Sequence, residues 1–278
     1  MIEEFDIIDQ DYIARVKHLV GDNFFQHYYL IDAINRVMNG HTELFDAFIV
    51  TEENSWLIGF WIKGNYMFYS KNFSGKQMQV IKKRVNFKLF QNGFHFFGSK
   101  EVIEKIEKES EIFYEPFKNR LYYTCDILNY YPDNPLFVIK QAEHKDLEEL
   151  TIMACEYFED EYNGKNNKDF NQMKVGVNEQ IALGKIWVLK KDNILKSMCS
   201  IISTSMNIPM IGSFFTKRDA RNLGFGKGLL FKVTENLLRN HSQCWLLADQ
   251  SNLGSIKVFE DVGYKCIYKT KDVIVNNR

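Results

Sequence analysis

Proline is scarce in this sequence, four in 278 residues, and two of the four, Pro132 and Pro135, fall within residues 128–135. Each proline pushes the residue before it out of the helical region, so this short stretch is the best candidate for a linker. The five cysteines (Cys125, Cys155, Cys199, Cys244, Cys266) are far apart, with no CxxC pair and no histidine at zinc-ligand spacing. That excludes a zinc ribbon and leaves reduced, packed thiols as the expectation, with no metal site. No run approaches the roughly 18 apolar residues of a membrane span. The first residues, Met1-Ile2-Glu3-Glu4-Phe5-Asp6, are acidic where a signal peptide is basic, so a cytoplasmic location without membrane attachment is expected. Charge of one sign is also missing: the formal net charge is -1, which provides no global attraction to nucleic acid or an anionic surface.

What is present is ordinary globular material, 45% apolar and 26% charged, with aromatic residues at 15%. The length suits two domains of about 100 to 150 residues each, and the linker places them at 1–130 and 131–278. In the first, helical spacing around residues 13–20 and 28–38 gives way to strand-like runs at 45–51, 56–62 and 66–69. A basic amphipathic helix over 75–90, a strand at 94–97, a helix at 100–108 and a strand at 120–127 follow. Beyond the linker come a strand at 136–140, helices over 145–157 and 170–183, and three strands at 186–190, 194–205 and 210–216. The turns Asp192-Asn193 and Asn207-Ile208-Pro209 join these three into a meander. A glycine-rich turn, a helix over 227–239, a strand at 244–248, a helix over 253–261 and a strand at 265–269 complete the order. The class is mixed α/β (α+β), with a mostly antiparallel sheet flanked by helices, and the order in the first half echoes that in the second.

The glycine-rich turn, Arg221-Asn222-Leu223-Gly224-Phe225-Gly226, links a strand to a helix N-terminus, where free backbone N–H groups and the positive helix end favour an anion. It is not a nucleotide-binding P-loop, since Lys227 is followed by Gly228 rather than Ser or Thr, and it is not a dinucleotide fingerprint, since Leu229 stands where glycine is needed. With this order of elements the segment resembles the GCN5-related N-acetyltransferase family, whose signature is Arg or Gln, two residues, Gly, one residue, Gly or Ala. Residues 214–221 look like that family's fourth strand entering the loop. Asn252, Ser255, Ile256, Phe259, Gly263 and Tyr264 fall at the spacing of its fifth-strand loop and following helix. The resemblance covers about half the chain.

The resemblance implies an acetyl-CoA-dependent N-acetyltransferase acting on a primary amine of a small molecule or peptide by direct attack. A CoA pyrophosphate would sit on the amides of Asn222, Leu223, Gly224, Phe225, Gly226, Lys227 and Gly228 beside Arg221. The pantetheine would run along Phe214, Phe215 and Thr216, with Asn252 and Ser255 nearby, and Lys217, Arg218 and Lys257 are further cations within the segment. The Phe214 backbone amide is the implied oxyanion donor. Asn252 is equally well read as a helix cap.

The sequence departs from the family at Phe259, which aligns with a tyrosine that many members use as general acid; Tyr157 and Tyr162 are the substitutes to consider. The acidic, aromatic stretch over 155–164 lies where the family lines its acceptor groove, and Glu159 is the candidate base, with Asp160 and Glu161 as further attractants for a cationic amine. The alternatives are a non-catalytic acyl-CoA-binding module and a transferase of a longer acyl or an aminoacyl group. The N-terminal half has no nucleophile–base pair, metal cluster or phosphate loop, His95 reads as a strand histidine, and Lys82, Lys83, Arg84 and Lys88 read as a solvated basic face. This half is expected to be a degenerate copy of the same fold that shapes the acceptor groove or a homodimer contact.

Overall fold

The computed structural model describes residues 1–129, 134, 136–164, 167–204 and 208–276. Most of the proline-containing linker (130–133 and 135) and the turn residue Asn207 lie outside the described residues. The chain forms two compact units, Met1–Leu121 together with the segment from Tyr268, and Tyr122–Ile267.

The first unit contains, in order, β1 (Ile2–Glu4), α1 (Gln10–Val20), α2 (Tyr28–Met38), β2 (Leu44–Glu52), β3 (Ser55–Ile62), β4 (Asn65–Lys71), α3 (Gly75–Arg84), β5 (His95–Ser99), α4 (Lys100–Glu109) and the start of β6 (Tyr114–Cys125). β1 to β4 pair antiparallel in sequence order, and β4 pairs in parallel with β5. Local chemistry sets the helix starts: Asp9 accepts from the Tyr12 amide, and Ser74 with Gln77 forms a capping box. The expected basic helix over 75–90 stops at Arg84, where Val85 turns extended. Phe87 and Phe90 then reach the core from a short 3-10 turn rather than from a helix face.

The second unit contains β7 (Val138–Gln141), α5 (Leu147–Tyr162), α6 (Phe170–Ala182), β8 (Ile186–Lys191), β9 (Ile194–Ser203), β10 (Pro209–Thr216), α7 (Phe225–Leu238), β11 (Cys244–Asp249), α8 (Leu253–Val262) and the start of β12 (Lys265–Val275). β7 to β10 form an antiparallel meander and β10 pairs in parallel with β11. Each unit therefore repeats one order of elements: strand, two helices, three strands, helix, strand, helix, strand. The core of the second unit joins Leu150, Met153 and Ala154 of α5 to Val188, Met198 and Phe215 of the sheet.

The last strand runs six residues past the sequence expectation of 265–269. Thr270 to Ile274 pair antiparallel with Ser99 to His95 of β5, and Val273 and Val275 alternate into the first unit's core. Lys271 and Asp272 mask that alternation in the sequence. Both find ionic partners there, Lys271 with Glu107 at 2.5 Å and Asp272 with His95 at 2.8 Å.

Candidate active site

The turn from β10 into α7 is built from two left-handed residues, Asn222 at φ 63° and Gly224 at φ 82°, which fold the chain sharply before the helix starts at Phe225. No side chain caps α7. By contrast, Asn252 caps α8 through the Ser255 amide at 3.0 Å. The first-turn N–H groups of α7 thus have no intrahelical acceptor, and the positive end of a fourteen-residue helix faces the space beside the turn. Gly226 is required by proximity: a Cβ there would lie 2.9 Å from Thr216 Oγ1 and 3.1 Å from the Phe214 ring.

This space is a cavity of about 710 Å³. Of the sequence-predicted residues, Phe214, Phe215, Thr216, Arg221, Asn222, Gly224, Phe225, Gly226, Lys227, Asn252, Ser255 and Glu159 line it. Leu223 points outward at 63% exposure, and Gly228 is buried, with the Phe137 ring where a Cβ would stand. Neither is among the lining residues. Tyr157 lines the cavity and Tyr162 does not.

Strand β10 is irregular where it meets the cavity. Its register with β9 shifts between Gly212 and Phe215, and Ser213 takes φ 46°. Its parallel pairing with β11 runs through Met210–Trp245 and Ile211–Leu246, and among the described residues no pair follows. A bulge and a diverging neighbour together leave the backbone around Phe214 outside the ladder, the usual way a strand presents amide groups to a site. Gly212 within a strand was the available sequence signal for this bulge.

Electrostatically the cavity is self-compensated. Arg221 is fixed to the end of β10 by an Nε–H bond to the Thr216 carbonyl at 3.1 Å, by its stacking over Phe215 at 5.4 Å, and by an ion pair to Asp160 at 2.6 Å. Arg218 donates to Asp160 at 2.6 Å and to Glu159 at 2.9 Å. Burial pushes the Asp160 carboxyl up, but hydrogen bonds from Arg221 and Arg218 outweigh it and hold the group below the ordinary carboxylate range. The last turn of α5, where the helix dipole disfavours carboxylates, is thus anchored on the arginines of the turn. Lys227 pairs with Asp261 at 3.1 Å, Lys217 with Glu149, and Lys257 is exposed outside the cavity.

Residues 192–273 match the model of the FR47-like protein family. The C-terminal unit has the fold of the GCN5-related N-acetyltransferases. Solved structures share the fold. They include a GNAT-family acetyltransferase from Colwellia psychrerythraea (TM-score 0.57, 10% identity, 99% of this chain and 100% of that one). A GCN5-related N-acetyltransferase from Sphaerobacter thermophilus gives a TM-score of 0.55 at 13% identity over 82% of this chain and 79% of that one. One from Kribbella flavida gives 0.52 at 9% over 91% and 95%. A comparison with curated protein sequences gives no match.

In this unit Phe259 is not among the residues that line the cavity. It is 4% exposed and its ring packs against Phe214 at 5.6 Å, Tyr123 at 6.0 Å and Tyr264 at 6.4 Å. The side chains α8 offers to the cavity are Ser255 and Val258, the latter unremarked in the sequence. Among the described residues no group of three or more His, Cys, Asp or Glu is placed to hold a metal ion, and no helix is long and apolar enough to cross a membrane.

Proposed function

We propose that the C-terminal unit transfers an acetyl group from acetyl-CoA to a primary amine. The observation that carries this reading is the uncapped, glycine-lined N-terminus of α7 packed against the bulge of β10. A diphosphate fits that end: its anionic oxygens match the amides of Asn222 to Lys227 and the positive dipole, and Gly226 leaves room that any side chain would fill. Phe214, Phe215 and Thr216 would hold the pantetheine arm, with Arg221 keeping the turn seated and Ser255 and Asn252 closing the far wall.

When bound, acetyl-CoA supplies a thioester carbonyl. The Phe214 N–H, outside the ladder, would donate to the carbonyl oxygen as negative charge develops on it. The amine nitrogen bonds to the acyl carbon, the C–S bond breaks, and its electron pair leaves with sulfur as thiolate. The proton lost by nitrogen goes to a base or water. Glu159, one of the carboxylates that line the cavity, is the candidate base, and it would have to part from Arg218 to serve. Tyr157, the phenol that lines the cavity, would protonate the thiolate.

Titration calorimetry with CoA and acetyl-CoA, followed by a thiol-release assay across an amine panel, tests the reading; absence of binding to either ligand overturns it. Tyr157→Phe should lower kcat about a hundredfold while leaving CoA affinity within twofold. A second reading, a non-catalytic acyl-CoA-binding module, is favoured by Val258, which faces the cavity without a proton to give, and by Phe259, which packs away from it. Binding without turnover on any amine would select it. A panel of acyl-CoA donors distinguishes acetyl from longer acyl groups, and charged tRNA as donor tests the aminoacyl alternative.

A further inference from the structure

A second cavity, of about 290 Å³, lies where α5 and α6 cover strands β9 and β10. Its buried floor is mostly apolar, formed by Leu150, Val177 and Met198 with Ser200 beside them, and its mouth is polar and exposed, formed by Lys168, Gln172 and Gln180. None of its lining residues is Asp or Glu. It adjoins the first cavity through consecutive residues of two elements. On β10, Ser213 lines the second and Phe214 the first; on α5, Phe158 lines the second and Tyr157 the first.

Gly176 shows that this space is not forced by packing. It sits in the interior of α6 without a left-handed backbone, and a Cβ built on it meets nothing within 4 Å. Glycine destabilises a helix interior relative to alanine, and here neither backbone conformation nor crowding calls for it. An opening kept clear at some cost to the helix is what a ligand site requires, and its volume is at the low end for small-molecule sites.

We propose that this cavity seats the body of the acceptor, and that the acceptor is a small primary amine carrying an uncharged apolar group, a branched alkyl chain or a single aromatic ring. The assignment rests on acetyl transfer at the neighbouring turn. A polyamine or a basic peptide end would place a second cation among apolar walls beside Lys168 with no carboxylate to receive it, an uncompensated desolvation. Of the carboxylates that suggested a cationic acceptor, Glu159 and Asp160 are already bound by Arg218 and Arg221, and Glu161 lines the first cavity rather than this one.

The test compares 2-phenylethylamine and isoamylamine with putrescine and spermidine in the thiol-release assay, in the full chain and in Gly176→Ala and Gly176→Leu. The apolar amines should be at least tenfold better in kcat/KM. Gly176→Leu should raise their KM at least tenfold with acetyl-CoA affinity unchanged, and Gly176→Ala, with its higher melting temperature, should separate helix stabilisation from filling. Preference for the polyamines, or an unchanged KM in a folded Gly176→Leu protein, overturns the proposal. If no amine releases thiol although acetyl-CoA binds, transfer itself fails. The cavity is then read by calorimetric binding of 2-phenylethylamine, which Gly176→Leu should abolish, and absence of binding to the unsubstituted protein refutes the site.

Discussion

Gly226 shows how little freedom a single residue has at the turn. With Thr216 Oγ1 and the Phe214 ring within 3.1 Å of the point where a methyl group would stand, alanine there must displace one of these side chains or shift α7 against β10. Gly226→Ala should cost about 1–3 kcal/mol of stability and weaken CoA binding at least tenfold, readable together by thermal denaturation and calorimetry. His27 offers a second test, in the first unit. Its Nδ1–H donates to the Asn23 carbonyl at 2.9 Å and its ring lies among Trp56, Tyr69 and Tyr268. Burial pulls its pKa down from 6.5 to about 4. The unfolded chain therefore binds a proton that the folded chain refuses, so stability is complete above pH 6.5 and falls as the pH drops towards 4, by about 3 kcal/mol. Urea midpoints measured across that window should lose this slope in His27→Gln; an unchanged slope would mean that another group titrates.

At the scale of elements, the register of α8 decides which substitution can restore an acid. A hydroxyl at 259 would enter an aromatic cluster, whereas one at 258 would face the cavity. Phe259→Tyr should therefore destabilise the protein by about 1–3 kcal/mol without raising kcat. Val258→Tyr should raise kcat in the same thiol-release assay while CoA affinity stays within a few-fold.

The sequence alone placed the turn, its helix and the meander, because glycine, helical period and turn residues are local signals. It could not settle whether 258 or 259 faces the cavity, since both are apolar and the one-residue difference is a matter of packing. Nor could it pair Arg218 and Arg221 with Glu159 and Asp160, which are separated by some sixty residues and meet only through the fold. The bulge at Ser213 was announced only by Gly212, and a lone glycine in a strand has several causes.

At the scale of the whole molecule, one order of elements occurs twice, yet the first unit is completed by a strand that comes after the second. Removing everything beyond Ile267 would strip Thr270–Ile274 from β5, take Val273 and Val275 out of the core, and leave Glu107 and His95 without their ionic partners on that strand. Such a variant should show loss of protection at His95–Ser99 by hydrogen exchange and early proteolysis within residues 1–121. Retained protection there would show that β5 is stable without this neighbour. Only the first half of this arrangement was foreseeable, because the repeat is written in the order of elements whereas the partner of β5 is set by long-range pairing.

The strand beside β5 also sets a timetable. Translation adds roughly 5–20 residues per second, and domains usually fold in the order they emerge. Here the ribosome must make all of Tyr122–Ile267 before the segment that pairs with His95–Ser99 exists. Until then the newborn first unit carries a bare sheet edge next to Phe96 and Phe97, the kind of surface that chaperones hold and that neighbouring nascent chains capture.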